Sequence, residues 1–85
     1  MDALMLDGNA VAGLLQEAFA VEMTTARETC DGCGATAAVG AVHVYRSAGV
    51  VLRCPSCGNV LATLVQRRSQ ICISLSGMRA LEISN

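Results

Sequence analysis

Two pairs of cysteines are the residues of this chain best suited to chemistry. Cys30 and Cys33 form one Cys-x-x-Cys pair, Cys54 and Cys57 form another, and 20 residues lie between the two pairs. Two such pairs at this distance are typical of a site in which four thiolates hold one zinc ion. Because four protein ligands leave no open coordination position, the pattern predicts a structural metal site and not a catalytic one.

The residues around the cysteines favour tight turns. Gly34 and Gly58 each follow the second cysteine of a pair, and glycine takes a positive φ at little steric cost. That conformation lets backbone N–H groups point at the thiolates and stabilise them. Pro55 fixes φ within the second turn. We call each Cys-x-x-Cys-Gly turn a knuckle, and we expect the two knuckles to meet around one metal ion.

Other uses of the cysteines stay open as alternatives. Iron is the main one, because the Cys-Pro-x-Cys-Gly turn also occurs in rubredoxins, although this chain has only Phe19 and Tyr45 as aromatic residues. The odd count of five cysteines argues against a disulfide framework. The second matched pair argues against a redox centre. We therefore expect one Zn²⁺ per chain, with iron as the minor alternative.

The length and composition predict one small domain with more apolar surface than its core can bury. We expect a single domain over residues 1–85, with an N-terminal helical segment over 1–24 and a zinc ribbon over 25–85. A chain of this size buries little more than ~60% of its unfolded surface, and 53% of these residues are apolar. The excess predicts a surface shared with a protein partner or with a second copy of the chain.

An amphipathic helix is predicted near the amino terminus, over residues 9–20. Apolar residues recur there at helical spacing, and Asp7 or Asn9 can cap the start of the helix. The stripe either packs on the ribbon as core or docks a partner, and its candidate docking residues are Val11, Leu14, Leu15, Ala18 and Phe19.

The rest of the chain predicts antiparallel strands. Residues 41–46 and 50–53 flank a three-residue turn at 47–49, and residues 60–66 form a β-prone run. Residues 70–75 alternate between apolar and polar, and residues 78–83 form a last short strand. Residues 21–29 read as a linker into a short strand and residues 35–40 as a loop. The predicted fold class is a small metal-bound α+β protein, in which the helix precedes an antiparallel β zinc ribbon.

The charges divide along the chain and raise a second functional hypothesis. Residues 1–38 carry a net charge of −5 and residues 39–85 a net charge of +4, in a chain with no lysine. Adjacent arginines at a hairpin tip can reach phosphates, which favours nucleic acid. The overall charge of −1 and the lack of aromatic stacking groups argue against it. The candidate nucleic-acid or anion contacts are Arg46, Arg53, Arg67, Arg68 and Arg79.

Catalysis has few candidate residues. The chain has one histidine, His43, and no paired carboxylates near the cysteines, so we expect no enzymatic activity and no small-molecule substrate. Four thiolates suffice for the metal, so we expect His43 to be a strand residue. We expect Cys72, on the more polar face of its strand, to fill space as a structural residue. A replacement metal ligand and a reactive thiol are the alternatives.

The cellular location of the protein is predicted from its free thiols and from its first residues. Asp2 and Asp7 lie near the first residue, and no basic residue accompanies them. A secretory signal, in contrast, begins with a positively charged region. No segment approaches the ~18–20 apolar residues that cross a bilayer. Because free thiols belong to reducing compartments, we expect a cytoplasmic protein without a membrane partner.

Five short motifs are spread along the chain: Leu6-Asp7-Gly8-Asn9-Ala10, Cys30-x-x-Cys33-Gly34, His43-Val44-Tyr45, Val51-Leu52-Arg53-Cys54-Pro55-x-Cys57 and Leu75-x-Gly77-x-Arg79-x-Leu81. Together they resemble a family of short bacterial proteins of unknown function, over nearly the full length. The resemblance implies an amino-terminal helix and a zinc ribbon, and it implies no activity. The ribbon is also similar to those of transcription-associated and ribosome-associated proteins, which is a likeness of fold alone.

The leading hypothesis is a non-enzymatic zinc-binding module for protein–protein interaction or self-association. The alternative is a nucleic-acid-binding or transcription-associated ribbon that uses the five arginines.

Overall fold

The computed structural model describes residues 5–46 and 48–84, and the elements below are those of the described residues. One α-helix, α1, is preceded directly by a 3₁₀ turn, and the remaining regular structure is almost entirely β-strand. The strands are β1 (Met5–Asp7), β2 (Arg27–Cys30), β3 (Thr36–Ala38), β4 (His43–Arg46), β5 (Val50–Arg53), β6 (Val60–Arg67), β7 (Gln70–Ser74) and β8 (Met78–Glu82); the helix α1 is Ala12–Phe19, and the 3₁₀ turns are Gly8–Val11 and Val39–Ala41.

The strands form two antiparallel sheets. The larger sheet has five strands in the order β1-β4-β5-β6-β7, and the smaller sheet has three in the order β3-β2-β8. The larger sheet is a meander from β4 to β7, so its register follows from short hairpins. The smaller sheet pairs β2 with β8 although 47 residues lie between Cys30 and its partner Met78. The last strand of the chain therefore completes the sheet that carries the first knuckle.

The predicted helix is confirmed in place but begins differently. Asp7 accepts a hydrogen bond from the Asn9 N–H at 3.1 Å, and the first turn after this cap is 3₁₀. Regular α-helical structure starts only at Ala12 and ends where Ala20 takes a left-handed φ of 63°. Short 3₁₀ turns are frequent at the ends of α-helices, and here Asp7 caps such a turn. The helix is thus shorter than the predicted 9–20.

Two short strands lie where no strand was expected. β1 precedes the helix and pairs with β4, so the N-terminal segment contributes a strand to the five-stranded sheet. β3 lies within 35–40, which was predicted to be a loop, and it pairs with β2. Both strands have three residues. Three residues are too few to show a period of two, and their pairing depends on distant partners.

The apolar stripe of the helix packs on the chain's own core. Val11 and Leu15 are 2% and 1% exposed, while Leu14, Ala18 and Phe19 are half-buried against the same cluster. That cluster combines side chains from the helix and from both sheets. Its buried apolar members are Val11, Leu15, Met23, Ala26, Cys30, Val39, Val42, Val44, Val50, Leu52, Cys54, Leu61, Ala62 and Leu64.

The remaining predicted strands lie close to their expected places. β4 starts at His43 and not at residue 41, because Val39–Ala41 is a 3₁₀ turn. The chain between β4 and β5 turns as expected, and Ser47 within it lies outside the described residues. Over the ranges described, no helix is long and apolar enough to span a membrane.

Candidate metal centre

The two knuckles belong to different sheets. The first connects β2 to β3, with Cys30 as the last residue of β2, and the second connects β5 to β6. The sulfurs of Cys30, Cys33, Cys54 and Cys57 all lie within 4.8 Å of one another, as the spacing predicted. One metal ion at this cluster would therefore join the small sheet to the large one.

The distances between the sulfurs fit a tetrahedral metal site. Cys30 and Cys57 have their sulfurs 3.7 Å apart, and so do Cys33 and Cys54. Four sulfurs at ~2.3 Å from a central zinc ion lie about 3.8 Å from one another. A disulfide would bring two of the sulfurs to ~2.0 Å, so the four are free thiols. The residues present thus fit a metal ion that prefers four sulfur ligands, which is typical of zinc or iron.

The two knuckles have the same backbone geometry. In the first, the Cys30 N–H donates to the Ala35 carbonyl at 2.9 Å, and the Gly34 N–H donates to the Cys30 carbonyl at 2.9 Å. In the second, the equivalent bonds from the N–H groups of Cys54 and Gly58 are 2.9 and 2.8 Å long. Gly34 and Gly58 have φ values of 79° and 78°, which confirms the positive φ expected at both positions.

Backbone N–H groups approach three of the four sulfurs. Gly32 donates to the Cys30 sulfur at 3.3 Å, and Ser56 donates to the Cys54 sulfur at 3.4 Å. The Asn59 N–H donates to the Cys57 sulfur at 3.4 Å. Each donor lies two residues after its sulfur, which is a direct consequence of the tight turn. Such bonds favour the negatively charged thiolate that a metal ion requires.

Two neighbouring thiols of the cluster, those of Cys30 and Cys57, differ in acidity. Hydrogen bonds from the backbone N–H groups of Cys33 and Gly32 lower the pKa of Cys30 to about 7. At Cys57 the bond from the Asn59 N–H lowers the pKa, but desolvation within the cluster and the neighbouring sulfurs outweigh it and raise the pKa to about 12. The thiols of the cluster therefore do not all lose their protons together, and a metal ion held by four thiolates would release the protons that remain.

Burial alternates within each knuckle. Cys30 and Cys54, the first cysteines, are 0% and 1% exposed and belong to the core cluster, whereas Cys33 and Cys57 are exposed. The cluster therefore lies at the edge of the core. Its inner side is formed by the ends of two strands, and its outer side by the turns of the two knuckles. Four thiols occupy all the corners of a tetrahedron, so the arrangement offers a metal no free corner for a substrate or an activated water.

Asn59 is a supporting residue that the sequence reasoning did not identify. Besides its backbone bond to Cys57, its side-chain amide lies 4.0 Å from the sulfur of Cys30 in the other knuckle. A Cβ placed on Gly32 would lie 3.2 Å from the same amide, so the side chain rests directly on the first knuckle. Its position after the second knuckle's glycine is the only signal in the sequence.

The five candidate arginines divide into two groups. Arg53 donates to the Gly58 carbonyl at 2.8 Å and stands 5.8 Å over the Tyr45 ring, and Arg79 faces Asp31 with a nitrogen–oxygen distance of 3.6 Å. These two arginines therefore flank the two knuckles. The other group is at the opposite end of the large sheet, at the end of β4 and at the β6–β7 hairpin: Arg46, Arg67 and Arg68.

Three further side chains bear on the sequence predictions. His43 is half-buried in β4 and is not among the four clustered ligands. Cys72 is exposed on the outer face of β7, which confirms its predicted polar face. Glu28 was not predicted to be special, yet it is 0% exposed, and neither carboxylate oxygen has a hydrogen-bond partner among the described residues. Burial raises the pKa of Glu28 above its ordinary value.

Comparison with known proteins agrees with the resemblance seen in the motifs. A model described as "Family of unknown function (DUF6510)" matches residues 2–85. No curated protein and no solved structure shows a significant match. The family description assigns no activity, so the four-cysteine cluster is the feature from which a role must be argued. With the match spanning almost the whole chain, this protein belongs to DUF6510, a family of unknown function.

Proposed function

We propose that the protein is a non-enzymatic zinc-binding module whose structural Cys₄ site supports protein–protein interaction or self-association in the cytoplasm. The observation that carries the metal assignment is the cluster itself. Four free thiols lie within 4.8 Å, and two sulfur pairs are separated by the edge length of a zinc tetrahedron. A role without catalysis is supported by the donor set, since four thiolates saturate the ion.

The ion would act as a cross-link between the sheets. Cys30 and Cys33 hold the ion from the small sheet, and Cys54 and Cys57 hold it from the large one. Structural zinc binds small modules with an apparent free energy of ~10–16 kcal/mol, which is as large as the total stability of many domains. The metal would therefore determine whether the two sheets stay together, and so whether any interaction surface exists.

The interaction surface is best sought on the strands. The helix stripe predicted from the sequence packs on the core, so its two most buried positions, Val11 and Leu15, are covered by the chain itself. Open strand edges are surfaces on which proteins commonly pair with another chain. This favours a strand edge over the helix as the surface that meets a partner.

The proposal is tested by measuring metal and mass together. Native mass spectrometry of the purified protein, with elemental analysis, is expected to give one zinc ion per chain. Cys54→Ser is expected to lose tight zinc binding, while Cys72→Ser, the matched control outside the cluster, keeps it. One iron ion per chain would change the metal and keep the site. A folded Cys54→Ser variant with stoichiometric zinc would contradict the ligand set.

Nucleic-acid binding is a second candidate because three exposed arginines share one end of the large sheet. An electrostatic contact there would weaken steeply with salt, roughly in proportion to the number of phosphates contacted. Anisotropy of labelled DNA and RNA at low salt is the direct measurement. Binding that is lost in an Arg67→Gln, Arg68→Gln variant would support this candidate. No binding at low salt would reject it.

A further inference from the structure

We infer that two copies of this chain pair through the outer edge of β7, which extends the five-stranded sheet across a two-fold axis at Cys72. This inference rests on the interaction role proposed above and names a second copy of the chain as the partner. Four observations carry it: the position of β7, the direction of its free hydrogen-bonding groups, its nearly palindromic sequence and its lack of charge.

β7 is the most open edge among the strands that the structure describes. It is the last strand of its sheet and pairs only with β6. β1 and β3 are also edges, but each has three residues. β8 is an edge of the small sheet and carries Arg79 and Glu82. Charges and short strands protect an edge from pairing, and β7 has neither protection over its five residues.

The hairpin before β7 determines which of its backbone groups are free. Arg67 pairs with Gln70, so only two residues form the loop. In a hairpin of this length the closing pair exchanges both hydrogen bonds, and bonded and non-bonded pairs alternate from there. Cys72 therefore bonds with β6, while the N–H and C=O groups of Ile71 and Ile73 point away from the sheet.

The sequence of β7 reads nearly the same in both directions about Cys72. When two copies run antiparallel and Cys72 faces its equivalent, Ile71 faces Ile73 of the other copy, and Gln70 faces Ser74. Apolar side chains then meet apolar ones and polar meet polar. Residues directly opposite also lie on the same side of the sheet, so the register preserves the inner and outer faces.

The hydrogen bonds agree with that register. Ile71 and Ile73, which hold the free groups, face each other across the axis and form bonded pairs in both directions. Cys72 then forms the central non-bonded pair, in which Cα atoms approach to ~4.5 Å. A two-fold interface requires this self-complementarity, because each residue must contact its counterpart in both directions.

The charges also permit the pairing. Residues 69–78 contain no charged residue. The first charge outside β7, Arg68, would face Ser76 of the other copy, so no like charges meet. Five residues per copy make a small interface, and small interfaces give weak, concentration-dependent complexes. We therefore expect a reversible dimer in the micromolar range and not an obligate one.

The first test separates pairing through the edge from pairing elsewhere. Sedimentation velocity of the zinc-loaded protein over a range of concentrations is expected to show a monomer–dimer equilibrium. Ile73→Pro removes the outward N–H, which an edge strand can lose without disturbing its own sheet. We expect this variant to dimerise at least ~10-fold more weakly. Ile73→Val keeps the N–H and serves as the matched control, with dimerisation close to that of the parent.

The second test concerns the register and does not depend on proline. Cys72 is exposed, so Cys72→Lys and Cys72→Glu leave the core unchanged. Each variant alone places like charges across the axis and is expected to dimerise severalfold more weakly, while an equimolar mixture restores a heterodimer. A chain that stays monomeric at its highest soluble concentration would overturn the inference, and so would a dimer insensitive to both sets of variants. Zinc content measured in the same samples shows separately whether the metal-binding proposal fails.

Discussion

The side-chain amide of Asn59 lies 4.0 Å from the sulfur of Cys30, across the boundary between the two knuckles. The same residue donates its backbone N–H to Cys57 at 3.4 Å. A residue directly after the second knuckle thus contacts one sulfur in each knuckle. Asn59 is itself exposed, so the contact is available to water and is modest in strength.

Replacing Asn59 should weaken metal binding without removing it. Asn59→Ala deletes the amide and keeps the backbone bond, so we expect a loss of about 10-fold in zinc affinity, at the low end for such supporting contacts. Asn59→Asp places a carboxylate beside the thiolates and is expected to cost more. Competition with a chromophoric chelator measures both. Ser56→Ala is the control, because Ser56 reaches Cys54 through its backbone and should lose nothing.

Removing the metal should unfold the protein. The apparent free energy of structural zinc, ~10–16 kcal/mol, exceeds the stability that a core of this size can supply alone. We expect a strong chelator to abolish the β-sheet circular dichroism, and added zinc to restore it. Cys72→Ser is expected to behave as the parent does. A chelated chain with an intact spectrum would show that the two sheets hold together without a metal ion.

A methyl group at Gly77 should be far more costly than one at Gly13. A Cβ on Gly77 would lie 1.7 Å from the Val60 carbonyl oxygen, so the backbone would have to move. At Gly13, on the exposed side of the helix, the added methyl meets nothing within 4 Å. We expect Gly77→Ala to destabilise the fold by several kcal/mol, and Gly13→Ala to stabilise it by up to ~1 kcal/mol. Denaturant unfolding of the zinc-loaded variants gives both values.

We expect the buried carboxylate of Glu28 to lower the stability of the fold. The side chain is fully buried without a hydrogen-bond partner in the structure. Replacing an unpaired buried polar group with an apolar one of similar size removes a desolvation cost of ~1–3 kcal/mol. We therefore expect Glu28→Leu to raise the free energy of unfolding at neutral pH. Glu28→Gln removes only the charge, so we expect it to raise the free energy of unfolding by a smaller amount.

The effect of Glu28 should also depend on pH in a defined direction. Because burial raises its pKa in the folded chain, the folded state keeps the proton at a pH where the unfolded state has lost it. Its contribution to stability is fully present below the unfolded pKa and is lost as pH rises through the folded pKa. The advantage of Glu28→Gln over the parent should therefore grow from acid to neutral pH. Comparing the two proteins cancels the contribution of the metal site, and an advantage that shrinks would contradict this assignment.

The four-cysteine cluster was more predictable from the sequence than the fold around it. Four cysteines and two glycines fix the knuckles through local geometry alone, and the structure places all six as the spacing predicted. The pairing of β2 with β8 was not predictable in this way, because its register depends on contacts between distant residues. Glu28 was missed for a related reason: its burial depends on how its sheet packs against distant parts of the chain, and nothing in the local sequence indicates that.

The surroundings of the helix and the grouping of the arginines were likewise not predictable from the sequence. The apolar period predicted a helix and its buried side, but it could not show what covers that side. Likewise, Arg53 and Arg79 are both placed at the knuckles by strand register, while Arg46 and the Arg67–Arg68 pair are at the far end of the sheet. Their separation could be read only once the strands were paired.

The distant pairing of β2 with β8 has a consequence for the order in which a newly made chain acquires its structure. Each knuckle joins strands that are neighbours in sequence, so each can close early at a small cost in loop entropy. The contact between Cys30 and Met78 closes a much longer loop and should come later. Both knuckles precede residues 78–82 in the chain, so their four cysteines can meet before β8 is in place. Zinc binding by a chain truncated before Met78 would measure whether capture precedes completion of the small sheet.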